Sequence, residues 1–362
     1  MMTDTTDILF SPAKLGELSL QNHLVMAPMT RSRAIDNVPN ALMAEYYAQR
    51  ASVGLIITEG TSPSPNGLGY PRIPGVFSLA QVEGWKLVTE AVHAKGAKIF
   101  CQLMHTGRIS HEYNLPGGAR VLAPSAVGCS EQMYTDKDGM QPLPVPEEMD
   151  IDDIDSTINE YAQAARKAIK ADFDGVELHA ANGYLMEQFF RPTTNQRDDA
   201  YGGKVEKRAR FILEVVKASI SMIGKEKIGI RLSPFGVFNE MPLYPEMEAD
   251  YLYLAEQLND LGIAYVHIVD HSAQGAPEVP ARMKDGVRAA FKGTLILSGG
   301  YDAKRANKDL EAGRADLIAV GVPLLSNPDL IYRWQNKVAL NDVDFDTFYT
   351  PGEKGYTDYP VA

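Results

Sequence analysis

His179, Asn182 and Tyr184 lie close together in the stretch Gly-Val-Glu-Leu-His-Ala-Ala-Asn-Gly-Tyr, residues 175 to 184. An imidazole and a carboxamide can both donate N–H to one oxygen, and a phenol beside them can release a proton. Such a set would grip a carbonyl or nitro oxygen and protonate a neighbouring carbon. Val176 and Leu178 read as a short buried strand and Asn182-Gly183 as a turn, so His179 is expected where the strand stops and a loop begins. Each of the three residues is also common in a purely structural role, so their meaning depends on what the rest of the chain brings to them.

The elements that must position them are legible as an alternation. Short apolar runs recur at Leu24 to Met26, Leu55 to Thr58, Lys98 to Leu103, Gly175 to Leu178, Ile228 to Leu232, Tyr265 to Val269, Leu295 to Leu297 and Leu317 to Val320. Between them lie segments of helical period, such as Ile154 to Ile169 and Val205 to Ile220. Eight strands apolar on both faces, alternating with helices, predict a closed parallel (β/α)8 TIM barrel, an α/β fold. A doubly wound open sheet would want a Gly-x-Gly-x-x-Gly turn after the first strand, where this chain has Met26-Ala27-Pro28-Met29-Thr30. No linker or repeat divides the chain, so residues 1 to 362 are expected as a single domain. The long Gly- and Pro-rich excursion at 110 to 150, after the third strand, is expected as a capping loop.

In such a barrel the site lies at the C-terminal ends of the strands. Read in order, those ends deliver Pro28-Met29-Thr30, Glu59-Gly60, Gln102 with His105, then His179, Asn182 and Tyr184, and then Arg231. A hydroxyl, a side-chain amide and a guanidinium suit the edge of a flat heteroaromatic ring, and a cation at its pyrimidine end favours an anionic reduced flavin. Strands seven and eight end in Ser298-Gly299-Gly300 and Gly321-Val322, where backbone N–H groups can approach a phosphate. Cys101 and Cys129 are the two cysteines and fit neither a zinc site nor a redox pair, so no metal is expected.

Composition narrows the partners. With 35 basic and 47 acidic residues the net charge is −12, which repels nucleic acid and anionic membrane surfaces. The first ten residues lack a basic segment followed by an apolar one, and no apolar run approaches a membrane span, so a cytoplasmic protein is expected. A monomer or weak homo-oligomer is the accompanying expectation.

Taken together, these segments resemble the old yellow enzyme family of FMN-dependent ene-reductases. The likeness rests on Ala27-Pro28-Met29-Thr30-Arg31, Gln102-Leu103-Met104-His105-Thr106-Gly107-Arg108, the stretch 175 to 184, Arg231-Leu232-Ser233-Pro234, Ser298-Gly299-Gly300-Tyr301 and the tail Gly355-Tyr356-Thr357-Asp358-Tyr359-Pro360. It implies FMN as cofactor, with Pro28, Thr30, Gly60, Gln102 and Arg231 around the ring, and NADPH or NADH as reductant. It also implies His179 and Asn182 as a clamp on the substrate oxygen, hydride from flavin N5 to the β-carbon of an activated alkene, and Tyr184 as the acid, while Tyr70 and Tyr349 line the substrate side. Nitroalkenes, maleimides and nitrate esters fall within the same implied range. A flavin carrier without turnover, and a multidomain dienoyl-CoA reductase, are the alternatives; the second would need a cysteine cluster that this chain lacks.

Two positions depart from the family pattern. Met104 stands where close relatives carry tryptophan, and Val322 where the family usually has the arginine that meets the phosphate. Lys304 and Arg305 follow Asp302, a predicted helix N-cap, at the end of a helix where the dipole disfavours cations. One of these two is therefore expected to replace the missing arginine.

Overall fold

The computed structural model describes residues 7 to 362, so the reading of the first ten residues as leaderless lies partly outside the described chain. Eight parallel strands close into a barrel: β1 (Leu24–Met26), β2 (Leu55–Ile57), β3 (Lys98–Leu103), β4 (Gly175–Ala180), β5 (Ile228–Leu232), β6 (Tyr265–Val269), β7 (Thr294–Ser298) and β8 (Leu317–Val320). Each pairs with its neighbours in sequence, and β8 pairs with β1 to complete the ring. The strands are buried almost throughout, as expected of a parallel sheet wrapped in helices.

The helices start where the sequence supplies caps. Ser78 and Gln81 form a reciprocal capping box at Leu79–His93, and Asp150 and Asp153 do the same at Ile151–Lys170. The second of these helices also carries Lys167 and Lys170 in its last turn, complementing the dipole. The helical segment expected from Val205 to Ile220 is two pieces, Val205–Arg208 and Arg210–Ile223.

One end of the barrel is closed. An antiparallel hairpin of Ala13–Leu15 with Leu18–Leu20, which the sequence pattern did not disclose, packs Ala13, Leu15 and Leu20 against inward residues such as Val25, Leu55, Ile57 and Phe100. Phe100 and Tyr265 meet across the interior with ring centroids 5.7 Å apart. Gly229 makes room for that crossing, since a Cβ there would fall 2.1 Å from the Tyr265 ring. Among the described residues, the C-terminal strand ends open into a cavity.

Two segments build its walls. In the 110 to 150 excursion, Gln132–Thr135 and Gly139–Pro142 pair as a hairpin, tied to the rim by an ion pair between Arg72 and Asp136. On the other side a strap near the C-terminus is held by buried arginines. Arg33 donates to the carbonyls of Phe348 at 2.6 Å and Thr347 at 2.8 Å, and Arg31 to that of Gly355 at 2.7 Å. Tyr356 stacks on Tyr46 with centroids 4.0 Å apart. Because the strap is pinned on both sides of Tyr349, that ring is set at the mouth, although it is 61% exposed.

Among the described residues no helix is long and apolar enough to cross a membrane, and no group of histidine, cysteine and carboxylate side chains could hold a metal. Cys101 and Cys129 are both free and buried.

Candidate active site

The mouth opens into a cavity of about 790 Å³. Pro28, Thr30, Gln102 and Arg231 line it from the strand ends, together with His179, Asn182 and Tyr184, and Tyr70, Met104 and Tyr349 complete the residues expected on the substrate side. The hairpin adds Met133, Tyr134 and Met140, and the strap adds Phe345.

The clamp differs from expectation in one detail. β4 runs to Ala180, so His179 sits inside the strand, paired in register with Arg231 of β5. Ladder bonding therefore fixes its backbone more firmly than a loop would. Its Nδ1 is buried without a hydrogen-bond partner among the described residues. Burial, reinforced by the Arg231 cation, holds the imidazole well below the ordinary histidine range, so it is neutral near pH 7.

The turn after β4 is held by a buried network. Asn182 and Gly183 both take positive φ, 60° and 75°, which sends the chain sharply into the helix Leu185–Phe190, with Tyr184 at its N-cap. The buried carboxylate of Glu187 accepts from Gly183 N at 2.6 Å and from Ser233 Oγ at 2.9 Å, and pairs with Arg191 at 2.8 Å. Ser233 Oγ in turn accepts from Asn182 N at 2.8 Å. Tyr184 Oη lies 3.1 Å from Tyr70 Oη. Burial pushes the Tyr184 phenol up to about 12, above the ordinary tyrosine value of about 10. The shift weakens the acid and keeps its proton in place across the working range.

The floor is polar and organised by a residue that sequence reasoning passed over. Glu177, fully buried in β4, accepts from Gln102 Nε2 at 2.8 Å and pairs with His267 Nδ1 at 2.9 Å, while His267 Nε2 meets Ser298 Oγ at 3.0 Å. The network fixes the Gln102 amide so that its Oε1 is left without a partner among the described residues. Burial lowers the Arg231 pKa and Glu177 opposes that shift, although a guanidinium stays charged in any case. Arg231 Nε is buried with no partner among the described residues. A buried cation with unspent donors calls for an acceptor in the cavity. The signal for Glu177 was present in the sequence, as a carboxylate in an otherwise apolar strand.

Other expected residues lie outside this cavity's lining. A Cβ on Gly60 would fall 2.5 Å from Sδ of the cavity-lining Met104, and one on Gly321 would lie 3.2 Å from Met29 Sδ, so each glycine makes room for a methionine. Ser298, Gly299, Gly300 and Val322 are likewise absent from the lining. His105 is buried, its Nδ1 accepting from Gly107 N at 3.1 Å, in a structural role. Asp302 caps the helix Ala303–Glu311 as expected, accepting from Arg305 N at 2.7 Å. Arg305 Nη1 reaches Gly299 O at 2.8 Å and Gly300 O at 3.4 Å. Lys304 is exposed and makes no hydrogen bond or ion pair among the described residues.

Comparison with known proteins agrees along the whole chain. The pattern of the NADH:flavin oxidoreductase / NADH oxidase family matches residues 8–341. A probable flavin mononucleotide-dependent alkene reductase from Leishmania infantum is 42% identical over 360 residues, covering 98% of this chain and 97% of that protein. Morphinone reductase superposes with a TM-score of 0.94 at 45% identity, covering 99% of this chain and 98% of that one. Its structure in complex with tetrahydroNAD gives 0.92 at 45% identity, covering 98% and 97%.

Proposed function

We infer the function of this protein from one premise: the chain belongs to the NADH:flavin oxidoreductase / NADH oxidase family. It is an oxidoreductase whose cofactor is FMN and whose reductant is a reduced nicotinamide nucleotide. The reading that the site supports best is reduction of the C=C bond of an activated alkene: an enone, enal, maleimide or nitroalkene. One observation carries it, the convergence of His179, Asn182 and Tyr184 on the same cavity as Gln102 and Arg231.

The residues present suit an isoalloxazine. Arg231 has unspent donors for its electron-rich edge, Gln102 Oε1 is free to accept from an imide N–H, and Thr30 adds a hydroxyl. When bound, FMN supplies a hydride acceptor for the nicotinamide and a hydride donor for the alkene. His179 and Asn182 hold the substrate oxygen, polarise the double bond and stabilise the negative charge that grows on that oxygen. Tyr184 protonates the α-carbon, with Tyr70 hydrogen-bonded behind it to restore the phenol proton. The hairpin and strap wall the mouth of the cavity in which these residues meet.

The test is anaerobic. Addition of NADPH or NADH should bleach the yellow holoenzyme, and a cyclic enone should restore the colour with one equivalent of saturated ketone formed. Bleaching without recovery across enones, maleimides and nitroalkenes would sink the alkene assignment and leave a flavin carrier.

We assign the compensation for Val322 to Arg305. Its guanidinium already lies against the Gly299-Gly300 turn, whereas Lys304 has no such contact. A phosphate monoester carries close to two negative charges and favours a fixed cation nearby. Arg305→Ala should raise the FMN dissociation constant about 10- to 100-fold, corresponding to ~1.5 to 3 kcal/mol, while Lys304→Ala stays within about twofold of the parent. Equal affinities for Arg305→Ala and the parent, measured by fluorescence of released FMN, would rule the assignment out.

A further inference from the structure

Asn182 has its hydrogen-bonding groups almost fully accounted for. Its N–H donates to Ser233 Oγ at 2.8 Å, and its carbonyl accepts from Asn239 Nδ2 at 2.7 Å. Its side-chain Oδ1 lies 2.8 Å from Nε2 of His271, on the loop after β6. Only the Nδ2 donors are left without a partner among the described residues, on a side chain that lines the cavity. We propose that His271 is a positioning residue for the clamp, holding Asn182 Oδ1 so that the amide presents N–H, not C=O, to the substrate oxygen.

The physics of an amide makes such a holder necessary. A carboxamide is a donor at one atom and an acceptor at the other, and a half-turn about its last bond exchanges them. With the acceptor turned inward, Asn182 would repel the same oxygen that His179 attracts. In this proposal the proton of the neutral His271 is assigned to Nε2, and that tautomer donates to Oδ1 and excludes the flipped amide. His271 suits the task, because burial, with the Arg231 cation next and Gln274 and Asp270 opposing, brings it down to about 4. Phe238 packs edge-on against the ring with centroids 4.5 Å apart, which fixes its plane. His271 itself is not part of the cavity lining, so it acts only through Asn182.

This inference rests on the clamp reading, and the experiment separates the two. The flavin-loaded enzyme and its His271→Ala, His271→Gln, Asn182→Ala and His271→Ala/Asn182→Ala variants are reduced anaerobically and mixed with 2-cyclohexenone. The rate of flavin reoxidation and the enone dissociation constant are then measured. His271→Ala should slow reoxidation about three- to tenfold, the factor carried by one neutral hydrogen bond. His271→Gln, which retains an N–H donor, should recover most of the loss, and the double variant should be no slower than Asn182→Ala alone. FMN affinity and Tm should match the parent throughout, which a general structural role would not allow. Additive losses in the double variant, or parent rates in His271→Ala beside a slow Asn182→Ala, would overturn this inference alone. Parent rates in Asn182→Ala would overturn the part of Asn182 in the clamp and this inference together.

Discussion

His179→Ala and Asn182→Ala should each slow reoxidation of the reduced flavin by an enone about 10²- to 10³-fold, a loss of ~2.7 to 4 kcal/mol of transition-state stabilisation. The size follows from where the donors sit. His179 is nearly buried on a barrel strand, and its neighbour in register is a buried guanidinium, so little water is available to replace a lost N–H. Both donors aim at charge that is small in the bound substrate and large in the transition state, so the loss should fall mainly on the rate and less on binding. The two variants should combine non-additively, because a single oxygen receives both bonds. Stopped-flow reoxidation at saturating enone measures the effect. Parent rates in both single variants would leave the clamp without support.

The second large effect is expected from Tyr184→Phe, which keeps the ring and removes the proton. Positioned acids contribute roughly 10²- to 10⁴-fold. The lower end is expected here, since the Tyr70 hydroxyl lies only 3.1 Å from that of Tyr184 and also faces the cavity. Reduction by the nicotinamide nucleotide requires no proton from this phenol and should be unchanged, so equal slowing of both half-reactions would point to misplacement of the site. The pH dependence has a definite sign. The acid works when protonated and burial has raised it to about 12, so its contribution is fully present at neutral pH and declines only as pH rises toward that value. His179, already neutral, adds no inflection near its ordinary value of about 6.5. The parent's reoxidation rate should therefore be flat across the neutral range, and a fall there would show that another group supplies the proton.

The barrel, and the side chains that its strand ends bring to one cavity, were readable in the sequence because both are encoded locally. An apolar run of three to six residues bounded by turn residues declares a buried strand by itself, and eight of them fix the closure. A residue at or just beyond the end of such a run is at the barrel mouth wherever the strand finally lies, which is why Pro28, Thr30, Gln102, Asn182, Tyr184 and Arg231 could be placed together. The end of β4 was read two residues early, since the paired edge of β5 continues the ladder past Leu178 and carries His179 with it.

What only the tertiary structure decided are the contacts between segments far apart in sequence. Glu177 and His267 meet across 90 positions, and Asn182 and His271 across 89, with no periodicity or spacing to announce either pair. The hairpin at 132 to 142 and the strap around Tyr349 are held over the mouth by Arg72, Arg31 and Arg33, through contacts with segments far along the chain. The pKa values moved for the same reason: a side chain's type sets its ordinary value, whereas burial and neighbouring charge exist only once the barrel has closed around it. Sequence alone therefore determined which chemical groups reach the site, and the fold decided which of their atoms remain free to act, because hydrogen-bond partners are assigned by proximity in space and not along the chain.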